Sequence, residues 1–106
     1  MREATFLILT ALADEPRHGY GIIQEVAVLS GGRVTPLPGT LYAALDRLVA
    51  QGLVELSHEQ VIDGQLRRYY RLRTDGRAEL ARQTERLRQL ASAADARLRA
   101  LRPSHA

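Results

Sequence analysis

The sequence contains no cysteine, which excludes disulfides, thiolate metal sites and thiol redox sensing. It contains no lysine either: all fifteen of its Lys-plus-Arg positions are arginine, the side chain that forks most readily onto phosphate. It lacks a long hydrophobic run. Phe6 to Ala13 is the longest stretch, well short of the roughly 20 apolar residues that cross a bilayer, and its flanks do not resemble a signal peptide. A cytoplasmic chain with no membrane partner is therefore expected. The three histidines, His18, His58 and His105, are scattered and share no metal-ligand spacing, so neither a metal nor a cofactor is expected. A nucleophile elbow, paired carboxylates on one stripe and a P-loop are all missing, which sets an enzyme aside.

What is present is an ordinary globular composition, 45% hydrophobic and 25% charged over 106 residues. That length allows one domain with one modest core, and dimerisation is an economical way for so small a chain to bury more surface. A net charge of +3 favours a polyanionic partner.

The stretch from Pro36 to Leu48 organises the rest. Pro38 suits a first helical position, Leu41, Leu45 and Leu48 fall on one stripe with Val49 beside them, and Gly52 stands where a left-handed C-terminal cap is wanted. The opposite face carries Thr40, Ala43, Ala44 and Arg47. Small side chains keep this helix slim enough to enter a groove about 12 Å wide, the major groove of DNA. An ordinary surface helix has the same pattern, and what surrounds the stretch decides between them.

Residues 3 to 13 are apolar almost all round, so a helix buried on two sides is expected there, one side on its own domain and the other on a partner. Pro16 stops it. A second helix is expected from about His18 to Leu29, with Ile22, Ile23, Val26 and Leu29 as its core stripe. Gly19 and Gly21 in its first turn permit close approach of a neighbouring helix or a phosphate. As a nucleotide-loop signal this Gly-x-Gly is weak, because no strand precedes it and no P-loop lysine follows. Ser30-Gly31-Gly32 closes the helix.

After the third helix, Leu53 to Ser57 and Arg67 to Arg73 alternate as two strands, with Asp63-Gly64 a turn signal inside a longer polar loop that ends in Arg67-Arg68. The expectation is a hairpin with a basic tip. Thr74 is placed to cap a last helix, along which Leu80, Thr84, Leu87, Ala91, Ala94, Leu98 and Leu101 recur in steps of four and three, with Leu90 widening the stripe. So narrow a seam has little to pack on inside a small domain, so it is expected to cross to a second subunit; packing on the chain's own first helix is the alternative. The expected fold class is mainly α with a small β-hairpin: a winged helix-turn-helix domain over residues 1–73, a C-terminal dimerisation helix over 74–102, and a tail at 103–106.

These residues resemble the PadR family of bacterial transcriptional regulators. The resemblance rests on Leu12-Ala13, Pro16-Arg17-His18-Gly19-Tyr20, Leu29-Ser30-Gly31-Gly32, the run Pro38-Gly39-Thr40-Leu41-Tyr42-Ala43-Ala44-Leu45-Asp46-Arg47-Leu48, Gly52-Leu53-Val54 and Arg67-Arg68-Tyr69-Tyr70-Arg71-Leu72. It covers residues 6 to about 76, and the single C-terminal helix looks like the shorter subfamily. One departure is Thr74-Asp75 after Arg73, where a Leu-Thr run is more usual. The resemblance implies a homodimeric repressor on a roughly palindromic operator, often released by a small molecule. Some relatives hold flat aromatic drugs between tryptophans at the dimer centre; this chain has no tryptophan, so a small aromatic effector would need other side chains.

Read in that frame, the DNA-contacting candidates are Tyr20, Pro38, Gly39, Thr40, Tyr42, Arg47, Gln65, Arg67 and Arg68. Tyr42 has an alternative in packing its ring on the hairpin, Tyr20 in half-burying against the third helix, and Arg47 in pairing with Glu55 or in Asp46's neighbourhood. His18 reads as a helix-start or core histidine. The dimerisation candidates are Phe6, Leu9, Leu80, Leu87, Leu90, Ala94, Leu98 and Leu101. The runner-up function is a winged-helix module that binds another protein.

Overall fold

The computed structural model describes residues 1–101. The tail at 103–106, Arg102 at the expected end of the last helix, and His105 lie outside the described residues. The element order is α1 (Glu3–Ala11), β1 (Arg17–His18), α2 (Gly19–Leu29), α3 (Pro38–Ala50), β2 (Val54–Ile62), β3 (Gln65–Leu72) and α4 (Thr74–Ala100). Three short helices and the base of a three-stranded antiparallel sheet, ordered β1-β3-β2, enclose one core, and α4 leaves it as a rod. Among the described residues no helix is long and apolar enough to cross a membrane.

The core forms where the apolar stripes meet. Leu41 and Leu45 of α3 and Ile22 and Val26 of α2 are completely buried, each side chain contributing about 1.5–3 kcal/mol of apolar transfer. Leu29 is the exception in its expected stripe: at the last turn of α2 it runs past the core and is exposed, as is Val49 on α3. Ala44 departs the other way. Expected on the outer face, it is buried beside Leu41 and Leu48, because three and four residues from them is the same side of a helix. Gly52 takes the expected left-handed conformation after α3, and the Leu53 amide closes back on the Leu48 carbonyl at 3.0 Å.

Two expectations about α1 and α4 need correction. Leu9, expected at a partner, is wholly buried within its own chain where α1 packs on α2, so it cannot reach a second subunit. Thr74 is the first helical residue of α4 and not its cap; Arg73 occupies the cap position, and no side chain bonds there. What fixes this end is the backbone. The Arg73 amide donates to the Leu53 carbonyl at 2.9 Å, and a Cβ on Gly76 would run into that same oxygen. Gly76 therefore sets how closely the rod leaves the domain.

The hairpin also differs from expectation. β2 and β3 pair from Val54↔Leu72 out to Ile62↔Gln65, joined directly by Asp63-Gly64. Both turn residues have positive φ, 52° and 77°, the geometry that lets a two-residue turn follow the twist of its strands. The loop expected to be long and polar is strand instead, because tight Asp-Gly chemistry at the end lets the ladder continue past the alternating stretch. A register shift between Leu56 and His58 bulges the ribbon near its base. The third strand, β1, pairs Arg17 with Tyr70 and His18 with Tyr69. At two residues it has no period to read.

Candidate nucleic-acid interface

Helix α3 begins without a side-chain cap. Leu37 precedes it, Pro38 has no amide hydrogen, and the Leu41 amide is taken by the Leu37 carbonyl at 2.9 Å. The amides of Gly39 and Thr40 are thus left facing outward at the positive end of a helix, an arrangement suited to an anionic oxygen. Pro38, Gly39 and Thr40 are all exposed, and among the described residues the Thr40 hydroxyl makes no hydrogen bond within the chain. Arg47, about two turns further along, is exposed with no carboxylate at ion-pair distance among the described residues. Its expected partner Glu55 is engaged by Arg71 at 2.7 Å and Arg73 at 3.7 Å.

Tyr42 does two things at once. It is still 46% exposed, yet its hydroxyl lies over the backbone of Gly19, where any Cβ would strike it. Of the two partners the Gly-x-Gly pattern allowed, a helix or a phosphate, Gly19 meets a side chain of the neighbouring helix α3. Tyr70 of β3 lines the same groove of about 550 Å³ with Tyr42, Asp46 and Arg68, and partial burial raises its hydroxyl pKa, with Tyr42 adding to the effect. The ring of Tyr42 thereby ties α3 to α2 and shares a groove with the wing. Tyr20 is 56% exposed and does not take the half-buried position weighed for it.

The basic tip expected of the hairpin is corrected by the register. The tip is Asp63-Gly64 flanked by exposed Gln65, while Arg67 and Arg68 stand opposite Gln60 and Glu59 within the ladder. Consecutive strand residues point to opposite faces, so the two arginines differ in burial and in partners, although both border the groove beside Tyr42. Arg68 is exposed, with Glu59 3.9 Å away across the ribbon, a surface pair worth about 0–1 kcal/mol. Arg67 is half-buried on the other face, and its Nε is buried with no partner among the described residues.

That second face holds a group that sequence reasoning missed. The ring of Tyr69 has His58 stacked on it at 4.4 Å and His18 meeting it edge-on at 5.2 Å. His18 is the helix-start histidine: its Nδ1 accepts the Gly21 amide at 3.1 Å and caps α2. Burial, and then the charge of Arg67, push its pKa below the ordinary imidazole value. The sign in the sequence was a histidine just before a helix; its aromatic neighbour Tyr69 comes from a strand some fifty residues away, which no local pattern shows.

The expected dimerisation residues divide into two sets. Leu80 is half-buried against the chain's own core and Phe6 is half-buried on α1. Leu87, Leu90, Ala94, Leu98 and Leu101 stay exposed along the rod. Between α1 and α4 runs an open groove of about 460 Å³, lined by Met1, Phe6, Leu7, Leu87 and Leu90 together with charged residues.

The comparisons with known proteins agree. The pattern of the Transcriptional regulator PadR-like family matches residues 8–82. The transcriptional regulator Rv3488 of Mycobacterium tuberculosis is 44% identical over 84 residues, spanning 79% of this chain and 75% of its own. Among solved structures, a PadR family transcription regulator from Clostridium difficile superposes with a TM-score of 0.76 at 23% identity, over 92% of this chain and 99% of that one. Bacillus subtilis PadR in complex with operator DNA superposes with a TM-score of 0.69 at 20% identity, over 78% of this chain and 47% of that one. Taken with the winged-helix fold, these matches place the chain in the PadR-like family of transcriptional regulators.

Proposed function

We propose that this protein represses transcription as a homodimer on a roughly palindromic operator in double-stranded DNA. The observation that carries the reading is the start of α3: uncapped amides and a free hydroxyl at Gly39 and Thr40, on an exposed face beside an arginine-bearing wing. The operator complex of the Bacillus subtilis relative supports it. In this reading residues 1–73 form the DNA-binding unit and the helix from Thr74 onward joins two copies.

Pro38, Gly39 and Thr40 approach phosphate and base edges, Arg47 and Tyr20 take backbone phosphates, and Tyr42 aligns α3 while its exposed edge faces the duplex. Arg68 and Gln65 follow the wing along the sugar–phosphate backbone, and Arg67 supplies positive charge from the opposite face of the ribbon. A dimer sets the two α3 helices about one DNA turn apart, ~34 Å. A small aromatic effector acting at the joint between subunits would misplace both helices together, so a modest binding energy is enough for release.

The test is selection of bound sequences from a random duplex pool at low salt. The expected result is a two-fold symmetric consensus whose affinity falls steeply as salt rises. Failure to retain any duplex, with capture of a stable heteromeric complex, would favour the protein-interaction module instead.

A further inference from the structure

The outer rungs of the wing are unlike the rest of this arginine-rich chain. From Gln60 to Leu66 the ribbon carries one charged residue, Asp63, and no cation. Val61 and Leu66 stand directly opposite each other, one rung behind the Ile62↔Gln65 pair that closes on the turn. Both are exposed, by 67% and 58%. A cross-strand apolar pair steadies a ribbon, but that role does not require it to be left in water. Leu66 also borders the groove lined by Arg68 and by Tyr42 and Asp46 of α3. The pair therefore stands on the side of the ribbon that α3 shares, continuous with the candidate interface.

We propose that Val61 and Leu66 form an apolar wedge that enters the minor groove of the operator and parts a base step there. This deepens the DNA-binding reading above and rests on it. Charge argues against a tip that lies on phosphates: an acidic turn and two bare aliphatic side chains give an anionic oxygen nothing to bind. The cations come one and two residues further in, at Arg67 and Arg68. The order along the ribbon is thus cation, apolar pair, turn. Arg68 holds the ribbon at the backbone of the duplex, and Leu66 lies about 7 Å beyond it, past the phosphates and toward the floor of the groove. A purely apolar partner surface would have no use for that cationic collar.

Length and width agree with this occupant. Leu66 is six residues out from Leu72, the buried end of β3, or about 20 Å along the strand. Adjacent major and minor grooves lie half a turn apart, ~17 Å, so a ribbon of this reach crosses from the groove that α3 enters to the next one. A minor groove about 6 Å wide does not admit two strands about 4.8 Å apart together with their side chains. Entry therefore widens the groove, and an aliphatic side chain lodged between base edges unstacks a step and bends the duplex toward the major groove. Gln60 and Gln65, on the other face of the ribbon, carry amide donors for the acceptors that A·T pairs present there. Flexible TA and CA steps cost least to part, so the wedge selects one of them without a hydrogen bond to it.

The experiment uses the full chain and the duplex that it selects from a random pool. The adenine of the TA or CA step half a turn outside the α3 contacts is replaced by 2-aminopurine, whose fluorescence rises on unstacking, and the bend is read by energy transfer between the duplex ends. The wild-type chain should brighten the probe and bring the ends together. Val61→Thr with Leu66→Thr keeps strand-forming side chains and every charge; it should lose both signals and bind the operator about tenfold more weakly at an unchanged salt slope. Leu66→Met keeps an apolar side chain and should keep both signals, which separates a lost wedge from a misfolded wing. A double variant that still bends and brightens the duplex, or a wild-type complex that is straight and dark, would overturn the wedge and leave DNA binding standing. A changed sedimentation of the double variant would assign the pair to a contact between copies and overturn the wedge as well. Failure of the wild-type chain to retain any duplex would overturn the DNA-binding reading itself.

Discussion

Gly76 and Gly19 show how much of this molecule depends on a missing side chain. Gly76→Ala forces a methyl against the Leu53 carbonyl, which is backbone and has little room to move. A loss of about 1–3 kcal/mol in denaturant unfolding is expected, the usual cost of overpacking. Gly19→Ala displaces the Tyr42 ring instead, so DNA affinity should fall further than stability, read as a binding loss larger than the drop in unfolding midpoint accounts for. His18 makes a prediction of a different kind. Its neutral Nδ1 caps α2, and its pKa is held below the ordinary value of 6.5. The unfolded chain therefore binds more protons between that depressed value and pH 6.5, and stability falls as pH drops through this window. His18→Asn keeps a capping acceptor and should flatten that part of the stability–pH curve. At the wing, Arg67→Ala with Arg68→Ala is expected to weaken binding to all sequences and shallow the salt dependence, whereas Thr40→Ala should cost at most ~3 kcal/mol, and chiefly on the operator.

Among the elements, those with a long period were legible and those without one were not. The stripe of α3, its proline start and its glycine end are written in fifteen consecutive residues, Pro38 to Gly52, and the structure follows them. The seam of α4 is equally plain. β1 is invisible in the sequence because two residues cannot alternate, and the wing reads as too short because Glu59, Gln60 and Gln65 look like loop while the ladder holds them. The candidate interface divides the same way. Thr40 and its neighbours were readable from helix position alone, but the opposite facing of Arg67 and Arg68, the closure of Tyr42 onto Gly19 and the His18–Tyr69–His58 stack depend on strand register between distant segments. Leu9 was misplaced because an all-apolar helix does not declare which of its faces its own core will take. The seam's role is testable at this scale: Leu87→Asp with Leu98→Asp should leave helical content intact by circular dichroism while abolishing dimer sedimentation and operator binding.

The whole molecule joins two halves of different character: a packed winged unit with α3 on its outer surface, and a rod that extends the chain to 66 Å in its longest dimension. In the proposed reading one unit alone would meet a single half-site, and the rod would convert two weak contacts into one specific complex by fixing their separation. The most direct test is nuclease protection by the purified protein on the DNA beside its own gene, across a salt series and with the bound stoichiometry weighed by sedimentation. The account predicts two protected half-sites centred about 34 Å apart, two chains bound per site, and protection that fades steeply with added salt. Unprotected DNA at low salt, or a single protein chain covering one undivided site, would contradict it.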